Sequence, residues 1–248
     1  MGGHSHWKGI KEKKGAADAK RGKLFAKLLR AIEVSARQGD PNPENNPTLA
    51  DAIQRAKDAS MPKDNIDRAI KRASGDLAGE NWERVFYEGY GAGGVAMLCD
   101  ALTNNRNRTS QDLRAIFRKH NGSLAEPGAV QWLFDRKGVI LVDKSAASED
   151  DVMIAALEGG ADDVHDDESE LEIVTDPSAF ADVKAALEKA GIPILSAEIT
   201  MVPQNTVPVD GADARAVLKL MEALEDHDDV QGVYANFDIP EAVLAEVG

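Results

Sequence analysis

Lys8, Lys11, Lys13, Lys14, Lys20, Arg21, Lys23, Lys27 and Arg30 crowd the first thirty positions of a chain of 248 residues. Cations at that density do one kind of chemistry well: they neutralise phosphates and release the counterions condensed around them. Trp7 stands among them, offering either a ring to stack on a base or an anchor onto its own domain. Gly2, Gly3, Gly9, Gly15 and Gly22 predict a flexible arm. A second basic group, Arg106 and Arg108, lies in Thr103-Asn104-Asn105-Arg106-Asn107-Arg108-Thr109. That run falls between an expected strand and an expected helix, whose unpaired N–H groups favour a phosphate or a carboxylate. It reads equally well as a polar turn with an N-cap and two solvated arginines.

No pattern in the chain carries a reaction. There is no nucleophile elbow, P-loop or zincin helix. The glycines from Gly89 to Gly94 lie between two expected strands, so they predict a hairpin turn and not a dinucleotide loop. His4 and His6 have no further ligands at metal-binding spacing, and the acids around His165 (Asp162, Asp163, Asp166, Asp167, Glu168) lack the spacing and glycine of a calcium loop. Cys99 is the sole cysteine, which rules out an internal disulfide and a Cys-rich zinc site. These readings predict a non-enzymatic protein with no cofactor and no metal.

The net charge of −14 conceals how charge is distributed. Residues 1–75 carry a net +7, residues 76–137 are neutral, and residues 138–248 carry −21. The basic end is the one expected to meet a polyanion, and the acidic half is the one open to a protein partner. No stretch nears the roughly 18 apolar residues of a membrane span. Met1–Lys14 lacks a signal-peptide core, and His6 stands where myristoylation requires Ser or Thr. The expected location is cytoplasmic, with no membrane partner. Oligomeric state is not readable from the sequence.

Periodicity supplies the elements that would hold these residues. Between Ala16 and Gln38, Leu24, Phe25, Leu28, Leu29, Ile32 and Ala36 recur at helical spacing, while Lys20, Lys23, Lys27, Arg30 and Arg37 fall on the opposite arc. Gly39–Pro43 breaks that helix, Thr48 with Asp51 suggests a capping box for a second, and Ser60-Met61-Pro62 starts a third, which Gly75 ends. Residues 76–81 read as a linker.

Beyond it the period shortens. Val85–Gly89 and Val95–Leu102 read as strands, and Thr109 with Asp112 caps a helix. Val130–Phe134 and Val139–Val142 suggest a hairpin about residues 135–138. A helix near 149–158, strands near 162–166 and 171–175, a helix near 178–190 and a strand at Leu195–Val202 complete a βαββαβ order, the ferredoxin-like arrangement. A last helix near 212–226 and a strand at Gly232–Phe237 would complete the sheet begun at residue 85. The expected fold is α+β and multidomain: a basic three-helix domain (1–80), a discontinuous α+β domain (81–134 with 204–248), and an acidic ferredoxin-like domain (135–203) inserted into it.

Several of these runs resemble the YebC/PmpR family. They are Gly3-His4-Ser5-His6-Trp7, Lys14 through Lys23, Ala59 through Ile66, Arg68-Ala69-Ile70-Lys71, Tyr87-Glu88-Gly89-Tyr90-Gly91, Thr103 through Thr109, and Val233-Tyr234-Ala235-Asn236. The resemblance spans nearly the whole chain. It departs at Ala92, where the family has proline, and at Asn45-Asn46-Pro47-Thr48, which is less basic than usual. It implies a helical domain followed by two α+β domains, one inserted in the other. It also implies a DNA-binding transcriptional regulator or, alternatively, a translation factor that contacts rRNA or tRNA on ribosomes stalled at proline-rich stretches.

Overall fold

The apolar stripes of the N-terminal third are consumed by three helices packed on one another. The structure, a computed structural model, describes residues 18–73, 81–166 and 170–240. Trp7, Lys8, Lys11, Lys13 and Lys14 therefore lie outside the described residues, and Lys20 is described in its backbone alone. Nearly all of the expected linker lies outside them too.

Helix α1 (Asp18–Gln38) packs across α2 (Pro47–Asp58) and α3 (Lys63–Ala73) through Leu28, Ile32, Leu49, Ala56, Met61 and Ala69. Leu24, placed on the apolar stripe by its spacing, stays 45% exposed, because the packed positions of α1 begin at Phe25. The second helix is capped by Asn46 and not by the expected Thr48–Asp51 box. Asn46 accepts from the Leu49 N–H at 3.1 Å, and its amide also donates to the carbonyls of Ser35 and Asp40. Pro47, preorganised for the first helical position, sets that start.

Strands β1 (Glu83–Tyr90) and β2 (Ala96–Thr103) form an antiparallel hairpin whose glycine turn places Gly93 at φ 67°. Helix α4 (Arg106–Lys119) and the short β3 (Ser123–Leu124) follow. The sheet is finished from the far end of the chain. There α7 (Gly211–Glu225) leads into β9 (Val230–Ala235), giving the order β3-β1-β2-β9. One face of this sheet packs on α4 and α7 through Leu113, Phe117, Leu218, Met221 and Leu224.

A second sheet lies between these parts in sequence. It consists of β4 (Phe134–Asp143), α5 (Glu149–Gly159), β5 (Asp163–Asp166), β6 (Glu170–Thr175), α6 (Phe180–Lys189) and β7 (Ile194–Pro203). The strand order is β5-β6-β4-β7, antiparallel throughout, which is the ferredoxin-like order. Ile140, Val142, Ile173, Val183 and Leu187 form its core. A parallel pair, β8 (Val207–Pro208) with β10 (Phe237–Asp238), joins the two returning segments. Seven α-helices and two four-stranded sheets thus make the described chain α+β.

The hairpin expected about residues 135–138 is not formed. Asp135 through Gly138 instead continue β4 and pair with β7 from Val202 to Ile199, and residues 131–133 form a short 3-10 turn. The polar residues resemble a turn in sequence because the strand is half exposed there, whereas the partner that keeps them extended lies about sixty positions away.

Glu88 fixes the start of this segment. Its buried carboxylate accepts from the N–H groups of Gly128, Val130 and Gln131 at 2.6, 2.6 and 2.7 Å. The back of the first sheet, through Ala96, Leu98 and Tyr234, then packs on Val130, Leu133, Phe134 and Met201.

Candidate nucleic-acid interface

The basic arc of α1 divides into two halves with different surroundings. At about 100° per residue, Val34 falls within the arc that carries Lys23, Lys27, Arg30 and Arg37. Val34 is 8% exposed, so part of this arc is a packed face. Lys23, at the start of the arc, is exposed; so is Arg21, which lies about 160° round the helix from it, with its guanidinium 5.5 Å over the Phe25 ring.

Along the second half, α1 meets the corner between α7 and β9. The Lys27 ammonium donates to the Glu225 carbonyl at 2.5 Å. Arg30 donates to the Asp228 carbonyl at 3.2 Å, lies 3.6 Å from the Asp229 carboxylate, and stacks 4.6 Å over the Trp82 ring. Gln38 and Arg55 add bonds to the carbonyls of Trp82 and Gln231. Of the residues expected to meet anions along this arc, Lys27 and Arg30 are already engaged within the chain. A corner from nearly two hundred residues downstream covers them.

Asp229 is the centre of this contact. Its side chain is buried and accepts from the Thr109 hydroxyl at 2.7 Å and from Arg108 at 2.9 Å. Its backbone carbonyl accepts from the Leu102 N–H at 2.8 Å, and its own N–H donates to His227 Nδ1. Burial acts to raise the Asp229 carboxyl, but the Thr109 and Arg108 hydrogen bonds and the Arg108 charge outweigh it and hold the group below its ordinary value. Lys27 goes the other way. Its burial prevails over the attraction of Asp228, Glu225 and Asp226 and pushes the ammonium down to about 8.

Arg106 and Arg108 begin α4, but the box expected from Thr109 and Asp112 is absent. Asn105 caps the helix, accepting from the Arg108 N–H at 3.1 Å. Thr109 is buried instead and bonds to Thr103, Asn105 and Asp229. Arg108 ion-pairs with Asp229, and Arg106 sits 3.6 Å from Glu83 with its side chain 60% exposed.

Together these residues wall a cleft of about 580 Å³, in which Lys23, Arg30, Trp82 and Arg108 face Asp112 and the run Asp226–Asp229. Cations and carboxylates are mixed along it, so the cleft suits the docking of one part of the chain on another. Exposed cations of the helical domain lie at Arg21, Lys23 and Arg37 of α1 and at Lys57, Lys63, Arg68 and Lys71 beyond it. Sequence reading missed Asp229, Trp82 and Thr109. The signals available were the acidic run at 225–229 and the apolar Val34 amid a basic arc.

The remaining candidates sit apart. His4, His6, Asp167 and Glu168 lie outside the described residues. Asp162 and Asp166 pair with Lys137 and Lys144. Burial pushes the Cys99 thiol well above its ordinary range, which keeps it from acting as a thiolate nucleophile. Among the described residues no helix is long and apolar enough to cross a membrane.

Residues 5–76 match the family described as "TACO1/YebC protein N-terminal domain", and residues 82–237 match "TACO1/YebC second and third domain". A "Probable transcriptional regulatory protein" of Dictyoglomus thermophilum is 54% identical over 245 residues, covering 98% of each chain. A protein of the same description from Rubrobacter xylanophilus is 55% identical over 249 residues, covering 100% of this chain and 99% of its own. The crystal structure of a conserved hypothetical protein from Aquifex aeolicus superposes with a TM-score of 0.76 at 51% identity, covering 90% of this chain and 92% of that one. With matches at about half identity along nearly all of its length, the chain belongs to the TACO1/YebC family.

Proposed function

We propose that the protein is a non-enzymatic, DNA-binding transcriptional regulator of the cytoplasm. Its basic end meets phosphates through Arg21 and Lys23 on the first turns of α1, together with Lys20, Trp7, Lys8, Lys11, Lys13 and Lys14. The observation that carries this reading is the sorting of charge, +7 on residues 1–75 against −21 on residues 138–248. The shared description of the relatives as transcriptional regulatory proteins supports it. Lys27, Arg30 and Arg108 act in this reading as positioning residues. They seat the helical domain on the corner between α7 and β9 and leave Arg21 and Lys23 exposed. Arg106 flanks them at the edge of the same surface.

Phosphate contacts of this kind set affinity and register and carry little sequence information. Binding is therefore expected on unrelated duplexes, with a steep dependence on salt. The test is a salt titration of the full chain on two duplexes of different sequence. The reading expects similar affinities, and a slope of log affinity against log salt that flattens by about 0.9 for each phosphate contact removed. Co-sedimentation with ribosomes in place of duplex binding would replace it with the translation-factor reading.

A further inference from the structure

Helix α5 is apolar on two opposite sides, and the fold covers one of them. Val152, Ala155 and Ala156 face the second sheet and are buried. Met153, Ile154 and Leu157 point away from it, 38%, 58% and 57% exposed. A helix apolar all round is ordinarily enclosed, and large apolar side chains left contiguous at a surface mark a place where something binds. Nothing in the packing of this domain requires three such residues outside. Its core is closed by the opposite side of the helix, and Ser148 at the N-cap and Gly160 in the left-handed region at the C-terminus define both ends.

The rim of the face indicates what fits it. At about 100° per residue, Met153, Leu157 and Ile154 span an arc about 100° wide, Glu149 and Glu158 flank it on either side, and Asp150 stands at its N-terminal end. These three acids are exposed, and α5 contains no basic residue. Residues 135–203 as a whole carry 5 basic against 17 acidic side chains, a net −12. That charge repels nucleic acid and attracts cations before contact. An apolar stripe between two acidic rails complements a helix with an apolar stripe between two basic ones, a helix-on-helix mode of recognition.

We infer that the outer face of α5 is a docking site for a cationic amphipathic helix of a partner protein. Met153, Ile154 and Leu157 receive the partner's apolar stripe, and Glu149, Asp150 and Glu158 receive its lysines or arginines. The site lies in the inserted domain and is independent of how the basic end binds nucleic acid.

The full chain is titrated with two fluorescein-labelled 18-residue peptides of identical Leu/Lys composition. In one the leucines fall at heptad positions a and d, and in the other the order is scrambled so that no face is apolar. The amphipathic peptide is expected to bind at least tenfold more tightly than the scrambled one. Ile154→Ser with Leu157→Ser, both at exposed positions and checked for an unchanged melting temperature, is expected to erase that difference. Glu149→Gln with Glu158→Gln is expected to weaken the amphipathic peptide severalfold and more at low salt. Equal binding of the two peptides, binding indifferent to the serine substitutions, or no binding would overturn the inference. It would equally be overturned if the wild type sediments as a dimer that those substitutions dissolve, because the face would then belong to a second copy of this chain.

Discussion

Helix α1 carries cations along its length, and those of its first turns meet different surroundings from those of its middle. Arg21 and Lys23 look into solvent, while Lys27 and Arg30, one and two turns further on, are held by the corner at residues 225–229. A basic arc opposite an apolar stripe tells which residues share a face. It does not tell what that face meets. Here the first turns leave Arg21 and Lys23 exposed, and the middle of the helix is matched by an acidic segment of the same chain. The difference separates binding from positioning, and it can be tested from both sides.

The largest effect is expected from Asp229→Ala. It leaves Arg30 and Arg108, both partly exposed, without their shared carboxylate and the buried Thr109 without an acceptor, a loss of about 2 kcal/mol. Chemical denaturation should show that loss, with a less cooperative unfolding of the helical domain. The wild-type contribution also has a defined pH range. Because the folded Asp229 carboxyl titrates below its ordinary value, its contribution is present above that ordinary value and is lost as pH falls through the folded one.

A smaller effect, in a higher pH range, is expected at Lys27. Its folded value of about 8 lies below the ordinary 10.5, so the folded state holds fewer protons between these limits. Wild-type stability should therefore rise as pH increases from about 8 toward 10.5. Lys27→Met should abolish that rise. Melting curves collected between pH 6 and pH 10 (roughly the accessible range for a lysine of this kind) give the comparison directly.

The smallest effect on stability is expected at the first turns of α1. Arg21→Gln with Lys23→Gln changes exposed side chains and should shift stability by no more than about 0.5 kcal/mol. The same pair should nevertheless flatten the salt dependence of duplex binding by about two units.

Much of this arrangement was readable from residue order. The α+β class, the helical N-terminus and the βαββαβ order of the second sheet follow from period and punctuation, because those signals are local. The features that escaped are all matters of long-range partnership. Residues 135–138 have turn-like composition yet run as a strand, since β7 supplies their pairing. Thr48 and Thr109 each stand at a capping spacing, yet Asn46 and Asn105 perform the caps. Thr109 is drawn instead into the buried set around Asp229. Asp229 itself sits in an acidic run that looks solvated in sequence, and its burial depends on α1 and α4 arriving from two distant segments. Val34 was the one local sign that the basic arc is not wholly open.

The central claim, that one half of α1 binds while the other positions, is tested most directly by one paired measurement. Salt titrations on a single duplex and melting temperatures are taken for Arg21→Gln/Lys23→Gln and for Lys27→Gln/Arg30→Gln. The account predicts that the first pair flattens the salt slope by about two units and leaves the melting temperature in place. It predicts that the second pair lowers the melting temperature by several degrees, at about 2–4 °C per kcal/mol, and leaves the slope nearly unchanged. A flattened slope with an unmoved melting temperature for Lys27→Gln/Arg30→Gln would contradict it.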